Sequence, residues 1–182
     1  YQHSQAIAQL TQHGWLNDLS SASLAPPLQD GLQRWLALRP DIAQQAHRAA
    51  AQWLEMRGEW VAAAQDHCAA GDLQLACDAV LNVEVTGLDF ASEHNPAQNL
   101  LEVLDDILNA AQHQLRAERF RPQQHMDDLR QILRQMLVLR ADCLLNTVRV
   151  DEAHANYREA LALATQPVMR AQIADKLAGA LL

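Results

Sequence analysis

The sequence predicts an all-α protein made of stacked antiparallel helix hairpins, and two observations support this prediction. The first is composition: Ala and Leu dominate the hydrophobic residues, whereas aromatic residues make up only 4% of the chain. Ala, Leu, Gln, Arg and Glu lose little conformational entropy in a helix, while strands favour β-branched and aromatic residues. The second is spacing: apolar residues recur every three or four positions, and Gly or Pro interrupts the pattern at short intervals. This combination is typical of short helices joined by tight turns.

The N-terminal part of the chain should contain two helices. The Ser4 side chain can cap the first, and Gly14 ends it. Residues 20–25 are small and predict a loop, or at most a short β wing. Pro26 suits the first turn of the second helix, which Pro40 breaks.

Three more helices are expected before the middle of the chain. Asp41 is predicted to cap the first of them, and Gly58 ends it. The second covers residues 60–70 and stops at Gly71, after which Asp72 starts the third. Because Gly adopts the left-handed conformation at low cost, we expect the chain to reverse direction at both glycines.

Four longer helices are expected in the second half. Residues 83–96 are less regular, and the Asn-Pro pair at their end marks a boundary. Helices then begin at Pro96, at Pro122, at a cap formed by Asp151 and at Pro167. The chain should therefore contain nine or ten helices, and no convincing strand is predicted.

Charge is unevenly distributed over a chain whose net charge is −8. Residues 59–115 include ten acidic side chains and neither Lys nor Arg, so nucleic acid is not an expected partner. Residues 116–140 include six arginines against three acidic residues. These arginines either bind an acidic surface or neutralise acidic neighbours within the chain, and the second interpretation is favoured.

The sequence contains no recognisable catalytic, cofactor or metal motif. No two of the eight histidines stand three or four residues apart, and the only lysine, Lys176, is not preceded by a Gly-rich phosphate loop. Asp127 and Asp128 are adjacent rather than opposed across a cleft, and Asp127 is expected to pair with Arg130 or Gln131 on the surface. We therefore expect no enzyme activity, no cofactor and no bound metal.

Cysteines and hydropathy indicate a cytoplasmic chain. Cys68, Cys77 and Cys143 are odd in number and lie in helical stretches, as small core residues in a reducing compartment do. No apolar run approaches the roughly 20 residues of a membrane span, and no signal-peptide pattern opens the sequence.

Trp53 and Trp60 flank Gly58 and are expected to pack together within one hairpin rather than to stack on a ligand.

Residues 141–167, ADCLLNTVRVDEAHANYREALALATQP, resemble a tetratricopeptide repeat. In that family, small residues let two helices approach and a large side chain fills the remaining gap. The resemblance implies that Ala141 and Ala153 are the small residues, Tyr157 the filler, Ala160 the contact to the next hairpin and Pro167 the end of the unit. It also implies a right-handed superhelix of stacked hairpins.

Arrays of this kind usually bind partners in the concave groove that one helix of each hairpin lines. Mapping the repeat onto this chain gives five candidate partner-binding residues: Gln135, Val138, Asp142, Leu145 and Asn146.

A second resemblance concerns the first half of the chain. Residues 47–80, HRAAAQWLEMRGEWVAAAQDHCAAGDLQLACDAV, are similar to the segment that follows the winged helix in STAND-type signalling ATPases, the group of the bacterial maltose activator. Upstream, AIAQLTQHGWL and LAPPLQDGLQRWL resemble the second half of that winged helix. The likeness covers roughly residues 5–81, and the repeat-like part covers about 134–182.

Together the two resemblances divide the chain into a winged-helix-like remnant (1–40), helical hairpins (41–96) and tetratricopeptide-like repeats (97–182). They imply a parent protein with a nucleotide-binding core upstream and further repeats downstream.

One side of the last helix carries an apolar stripe that a further helix would cover, so we expect some self-association through Ala171, Ala174, Leu177 and Leu181.

The function implied is that of a non-catalytic sensor or interaction arm of a larger signalling ATPase or transcriptional regulator. Its expected partners are a protein, a peptide or another effector, together with the adjacent ATPase domain of the same chain. The alternative is a structural scaffold that packs against its own ATPase core or mediates oligomerisation without any external ligand.

Overall fold

The structure is a computed structural model, and it divides the chain into two compact units, Tyr1–Ala46 and His47–Leu182. The boundary falls inside a helix. The residues that it describes are 16–18, 23–24, 26–83, 96–117 and 123–180.

The first unit contains a β ribbon followed by a helix. Strands β1 (Leu16–Asp18) and β2 (Ser23–Leu24) pair antiparallel, with Leu16 opposite Leu24. Helix α1 (Pro26–Ala37) follows them. This ribbon agrees with the short β wing that the sequence allowed near residues 20–25, although its first strand lies slightly earlier, at Leu16–Asp18. The helix predicted between Ser4 and Gly14 lies outside the described residues.

Seven further helices follow, so the described part of the chain contains eight. The all-α prediction is confirmed, and each of these helices corresponds to an expected one. The superhelical, tetratricopeptide-like arrangement stays a prediction. The seven helices are α2 (Pro40–Met56), α3 (Trp60–Ala70), α4 (Leu73–Leu81), α5 (Pro96–Ala117), α6 (Gln123–Asn146), α7 (Val150–Leu163) and α8 (Pro167–Gly179).

The predicted helix caps are partly wrong. Asp41 and Asp151 lie within the first turns of α2 and α7 rather than at the cap positions. There, negative charge still interacts favourably with the positive end of the helix dipole. Asp72 does precede α4, but its side chain makes no capping hydrogen bond. Its carboxylate instead accepts two hydrogen bonds from Arg48, at 2.6 and 3.0 Å.

Helices α3 to α8 share one hydrophobic core. The hairpin of α6 and α7 is its most extensive helix–helix contact, and small residues line both helices. Ala141, Ala153 and Ala160 have no exposed surface, and the Tyr157 side chain is 1% exposed. Because alanine adds little beyond the backbone, the two helices can approach closely. The role of Tyr157 as the filler of a gap between them stays a prediction.

Three helix reversals use the same backbone geometry. A residue one or two positions past the end of the helix has a positive φ. Its N–H donates to the carbonyl three residues back, and the next N–H donates to the carbonyl five residues back. This is the Schellman motif. Gly58 and Gly71 occupy two of these positions, as predicted, but the third holds Val148 with φ at 60°. A β-branched residue is strained in this conformation.

The two tryptophans beside Gly58 do not form the buried pair that the sequence suggested. Trp60 is half-buried and packs against the core, whereas Trp53 is 52% exposed. The guanidinium of Arg57 lies 4.5 Å from the centre of the Trp53 ring. Trp53 therefore interacts with a cation at the surface.

Overpacking of the α6–α7 hairpin gives a test of this arrangement. Ala160→Leu should lower the free energy of unfolding by about 1–3 kcal/mol, because its site has no free space. Ala162→Leu is the matched control, since Ala162 is exposed on the same helix. Urea unfolding measures both, and equal stabilities for the two variants would show that α7 packs through another face.

The strained turn between α6 and α7 gives a second test. Val148→Gly should raise the free energy of unfolding by about 0.5–1 kcal/mol, because relief of the left-handed strain exceeds the entropy that glycine loses on folding. Val148 is 83% exposed, so little burial is lost. Thr147→Gly, one residue earlier, should destabilise, because Thr147 has no positive φ and its hydroxyl donates to the Leu144 carbonyl at 2.9 Å. A lower melting temperature for Val148→Gly would contradict the strain.

Candidate binding groove

A groove of about 280 Å³ opens in the second unit, where α6 and α8 both pack against α7. We call it the α6–α8 groove. It is lined by Leu81 of α4, by Arg134, Gln135, Val138, Leu139 and Asp142 of α6, and by Met169, Gln172, Ile173 and Lys176 of α8.

Helical spacing explains why these side chains meet. Arg134, Val138 and Asp142 are four residues apart along α6, so they lie above one another on one face. Met169 and Ile173 have the same spacing on α8. Between the two stripes the floor is aliphatic, and the charged groups lie toward the ends of the α6 stripe.

Asp142 connects the groove to the interior. Its Oδ1 accepts a hydrogen bond from the Tyr157 hydroxyl at 2.5 Å, and its Oδ2 accepts one from Lys176 Nζ at 2.6 Å. Burial, and then the hydrogen bond to this carboxylate, raises the pKa of Tyr157. Tyr157 therefore stays a neutral donor, and both oxygens of Asp142 already have partners within the protein.

The arginines of α6 differ in their surroundings. Arg140 donates to Asp105 at 2.6 Å and Arg130 to Asp127 at 2.9 Å, so these two neutralise neighbours, and the predicted pair of Asp127 with Arg130 is confirmed. Arg134 lines the groove and forms no ion pair with any residue that the structure describes. The expected neutralisation of acidic neighbours within the chain is therefore found for Arg130 and Arg140 but not for Arg134.

The five predicted partner-binding residues separate into two groups. Gln135, Val138 and Asp142 line the α6–α8 groove. Leu145 is half-buried and packs against the core, and Asn146 is exposed at the last position of α6. Neither of these two lines the groove. Their selection as binding residues stays a prediction.

Sequence reasoning missed the residues that α8 and α4 contribute. Ile173 is 5% exposed and Met169 half-buried, and their spacing could have been read as an inward stripe. The predicted outer stripe of α8 is only partly correct, because Ala171 and Ala174 are exposed, whereas Leu177 packs against the core. Because alanine occurs on both buried and exposed faces, the alanines of α8 do not indicate from the sequence which face of the helix packs against the core.

A larger cavity of about 500 Å³ lies between α2, the α3–α4 turn, α5 and α6. Arg48 and Asp72 of its wall satisfy each other. His67 is 2% exposed, and its Nε2 donates to the Glu55 carboxylate at 3.0 Å. Its Nδ1 has no hydrogen-bond partner among the described residues and no contact with solvent. The imidazole is therefore closed to a ligand in this conformation, and the α6–α8 groove is the better candidate.

Candidate metal ligands, apolar helices and cysteine thiols are the remaining features that could indicate a function. In the described ranges no set of three or more His, Cys, Asp or Glu side chains is placed to hold a metal ion, and no helix is long and apolar enough to cross a membrane. The thiols of Cys77 and Cys143 are buried, as predicted, and burial raises the pKa of each to about 12. Cys68 is only half-buried.

No protein family, curated protein or solved structure matches this chain. The likeness to tetratricopeptide repeats and to STAND-type ATPases stays a prediction from the sequence.

The Tyr157–Asp142 contact predicts alkaline sensitivity. A pKa raised in the folded state keeps a proton that the unfolded chain loses, so this stabilisation is complete below about pH 10, the ordinary tyrosine value, and is lost as pH rises above it. Cys77 and Cys143 act in the same direction from about pH 8.5. Tyr157→Phe should cost about 1–2 kcal/mol at neutral pH and flatten the decline above pH 10.

Urea unfolding from neutral pH to about pH 11 measures this effect. The two thiols remain in the variant and leave a shallower decline. If the wild type and Tyr157→Phe lost stability in parallel above pH 10, the raised tyrosine pKa would be contradicted.

Proposed function

We propose that this chain is a non-catalytic helical interaction domain that binds a segment of a partner protein in the α6–α8 groove. The observation that carries the proposal is the groove itself: an aliphatic floor between two helices with polar and charged side chains at its edges. Apolar surface supplies affinity when it is removed from water, and the few polar groups orient the ligand.

The size of the groove favours a peptide segment over a cofactor. Ligand pockets for small molecules usually measure about 300–1,000 Å³ and enclose most of the ligand. This groove has about 280 Å³, just below the lower end of that range, and is open to solvent. It suits one or two side chains of a longer segment, whose remainder stays outside.

The context proposed for the domain is the sensor or interaction arm of a larger signalling ATPase or transcriptional regulator in the cytoplasm. The support is the likeness of residues 47–80 to the segment that follows the winged helix in STAND-type ATPases. The adjacent ATPase domain of the same chain is then a second partner. The phosphate loop of such a domain has no counterpart in this sequence.

A structural scaffold without an external ligand is the second candidate, and the exposed apolar surface of α2 favours it. Trp53 is 52% exposed and Met56 79% exposed, and both stand near the end of α2. Large exposed hydrophobic residues in proximity are typical of surfaces that another domain or subunit covers.

Selection from a displayed library of random peptides tests the proposed function. Peptides that bind the chain should lose affinity about tenfold or more for Gln172→Trp, because Gln172 is exposed at the edge of the groove and the larger side chain would occupy it. Fluorescence anisotropy with the labelled peptides gives the dissociation constants.

The matched control is Ala174→Trp, which places the same side chain at an exposed position of α8 outside the groove. It should leave peptide binding unchanged. Peptides that bind the wild type and Gln172→Trp equally well, or a library that yields no binder, would contradict a peptide-binding groove and favour the scaffold.

A further inference from the structure

We infer that the segment bound in the α6–α8 groove is acidic and aliphatic, with a carboxylate held by Arg134 and an adjacent aliphatic side chain on the groove floor. This inference rests on the proposed function, because it names the class of partner for the same groove.

The first argument is the uncompensated charge of Arg134. The two other arginines of α6 each contact an aspartate, whereas Arg134 forms no ion pair among the residues that the structure describes. Arg134 is a half-buried residue in the lining of a largely aliphatic groove. A planar guanidinium binds a carboxylate through two parallel hydrogen bonds, which is stronger and more directional than a bond between neutral groups.

The second argument is the distribution of charge along the groove. Arg134 and Asp142 are eight residues apart on α6, which corresponds to about 12 Å along the helix. At the other end of the groove, Asp142 forms an ion pair with Lys176, so these two opposite charges compensate each other. The lining therefore has one net positive charge, located at the Arg134 end. An acidic group of the partner is attracted there, and a basic group is repelled.

The third argument is the surface between these two ends. Val138, Leu139, Met169 and Ile173 form it, and none of the described lining residues is aromatic. Aliphatic side chains of a partner gain free energy by burial on such a floor, and the flexible thioether of Met169 can adjust to their shape. These described residues therefore offer no aromatic surface on which a planar ring of the partner could stack.

Pairs of synthetic peptides test the inference. One member of each pair is a groove-dependent peptide from the library, and the other has its Glu or Asp replaced by Gln or Asn. Arg134→Gln should weaken the acidic peptide about tenfold or more, because a hydrogen bond to a charged group is lost. It should change the amide peptide less than about twofold, and Arg134→Lys should restore part of the difference.

The comparison within each pair separates a charge contact from a folding defect. A variant that merely disturbs the groove weakens both peptides equally, whereas a direct contact weakens only the acidic one. Arg158→Gln is the control for overall charge, since Arg158 is exposed on α7 outside the groove. It should leave both peptides unaffected.

The outcomes also distinguish this inference from the function on which it rests. Groove-dependent peptides that lack acidic residues, or whose binding is unchanged in Arg134→Gln, would overturn the inference and leave the peptide-binding groove standing. A library without any groove-dependent peptide would overturn both. Acidic peptides with a selective loss in Arg134→Gln support both.

Discussion

The hydrogen bond from Tyr157 to Asp142 joins the interior of the second unit to the candidate groove. The Tyr157 side chain is 1% exposed and belongs to the shared hydrophobic core, so its hydroxyl has little freedom to move. That hydroxyl fixes Asp142, and Asp142 in turn binds Lys176 on α8. One side chain of α7 thereby sets the position of charged groups on both walls of the groove, and the separation of the walls depends on how closely α6 and α7 pack.

The groove stands on the part of the unit where apolar packing is densest. Helices α3 to α8 contribute to one core, whereas α2 has one buried residue, Ala51, and packs Leu54 against that core. Ion pairs and hydrogen bonds near the surface contribute little to stability, so α2 should open at lower free energy than the helices that carry the groove. A site on rigid, well-packed helices keeps its geometry before a partner arrives, and this lowers the entropy that binding costs. The contacts that join α2 to α3 and α4 are those of His47 with Asp66, Arg48 with Asp72 and Glu55 with His67.

The sequence was sufficient to predict the helices, because their order depends on local periodicity and on Gly and Pro at their ends. It predicted the reversals at Gly58 and Gly71 from the glycines themselves. The third reversal was expected from the repeat-like hairpin, but its left-handed residue was not, since Val148 carries no such signal. The groove was predicted in part: a repeat resemblance locates one face of α6, but it does not give the residues that another helix brings opposite. Likewise, the charge run of α6 did not reveal that Arg134 alone among its three arginines lacks an acidic neighbour, because such pairing depends on contacts distant in sequence, as between Arg140 and Asp105.

The proposed acidic partner must be reconciled with a chain whose net charge is −8. Net charge acts at long range, and at physiological ionic strength it is screened over about 8 Å. An acidic segment is therefore repelled weakly as it approaches and attracted only when its carboxylate comes close to Arg134. Electrostatic repulsion at a distance slows association, whereas a close contact between two partly desolvated charges mainly slows dissociation. Acidic molecules that lack an aliphatic side chain for the groove floor should bind weakly, because a single ion pair at a partly exposed position contributes little free energy without apolar burial. Selectivity would then arise from the requirement for both features in one segment.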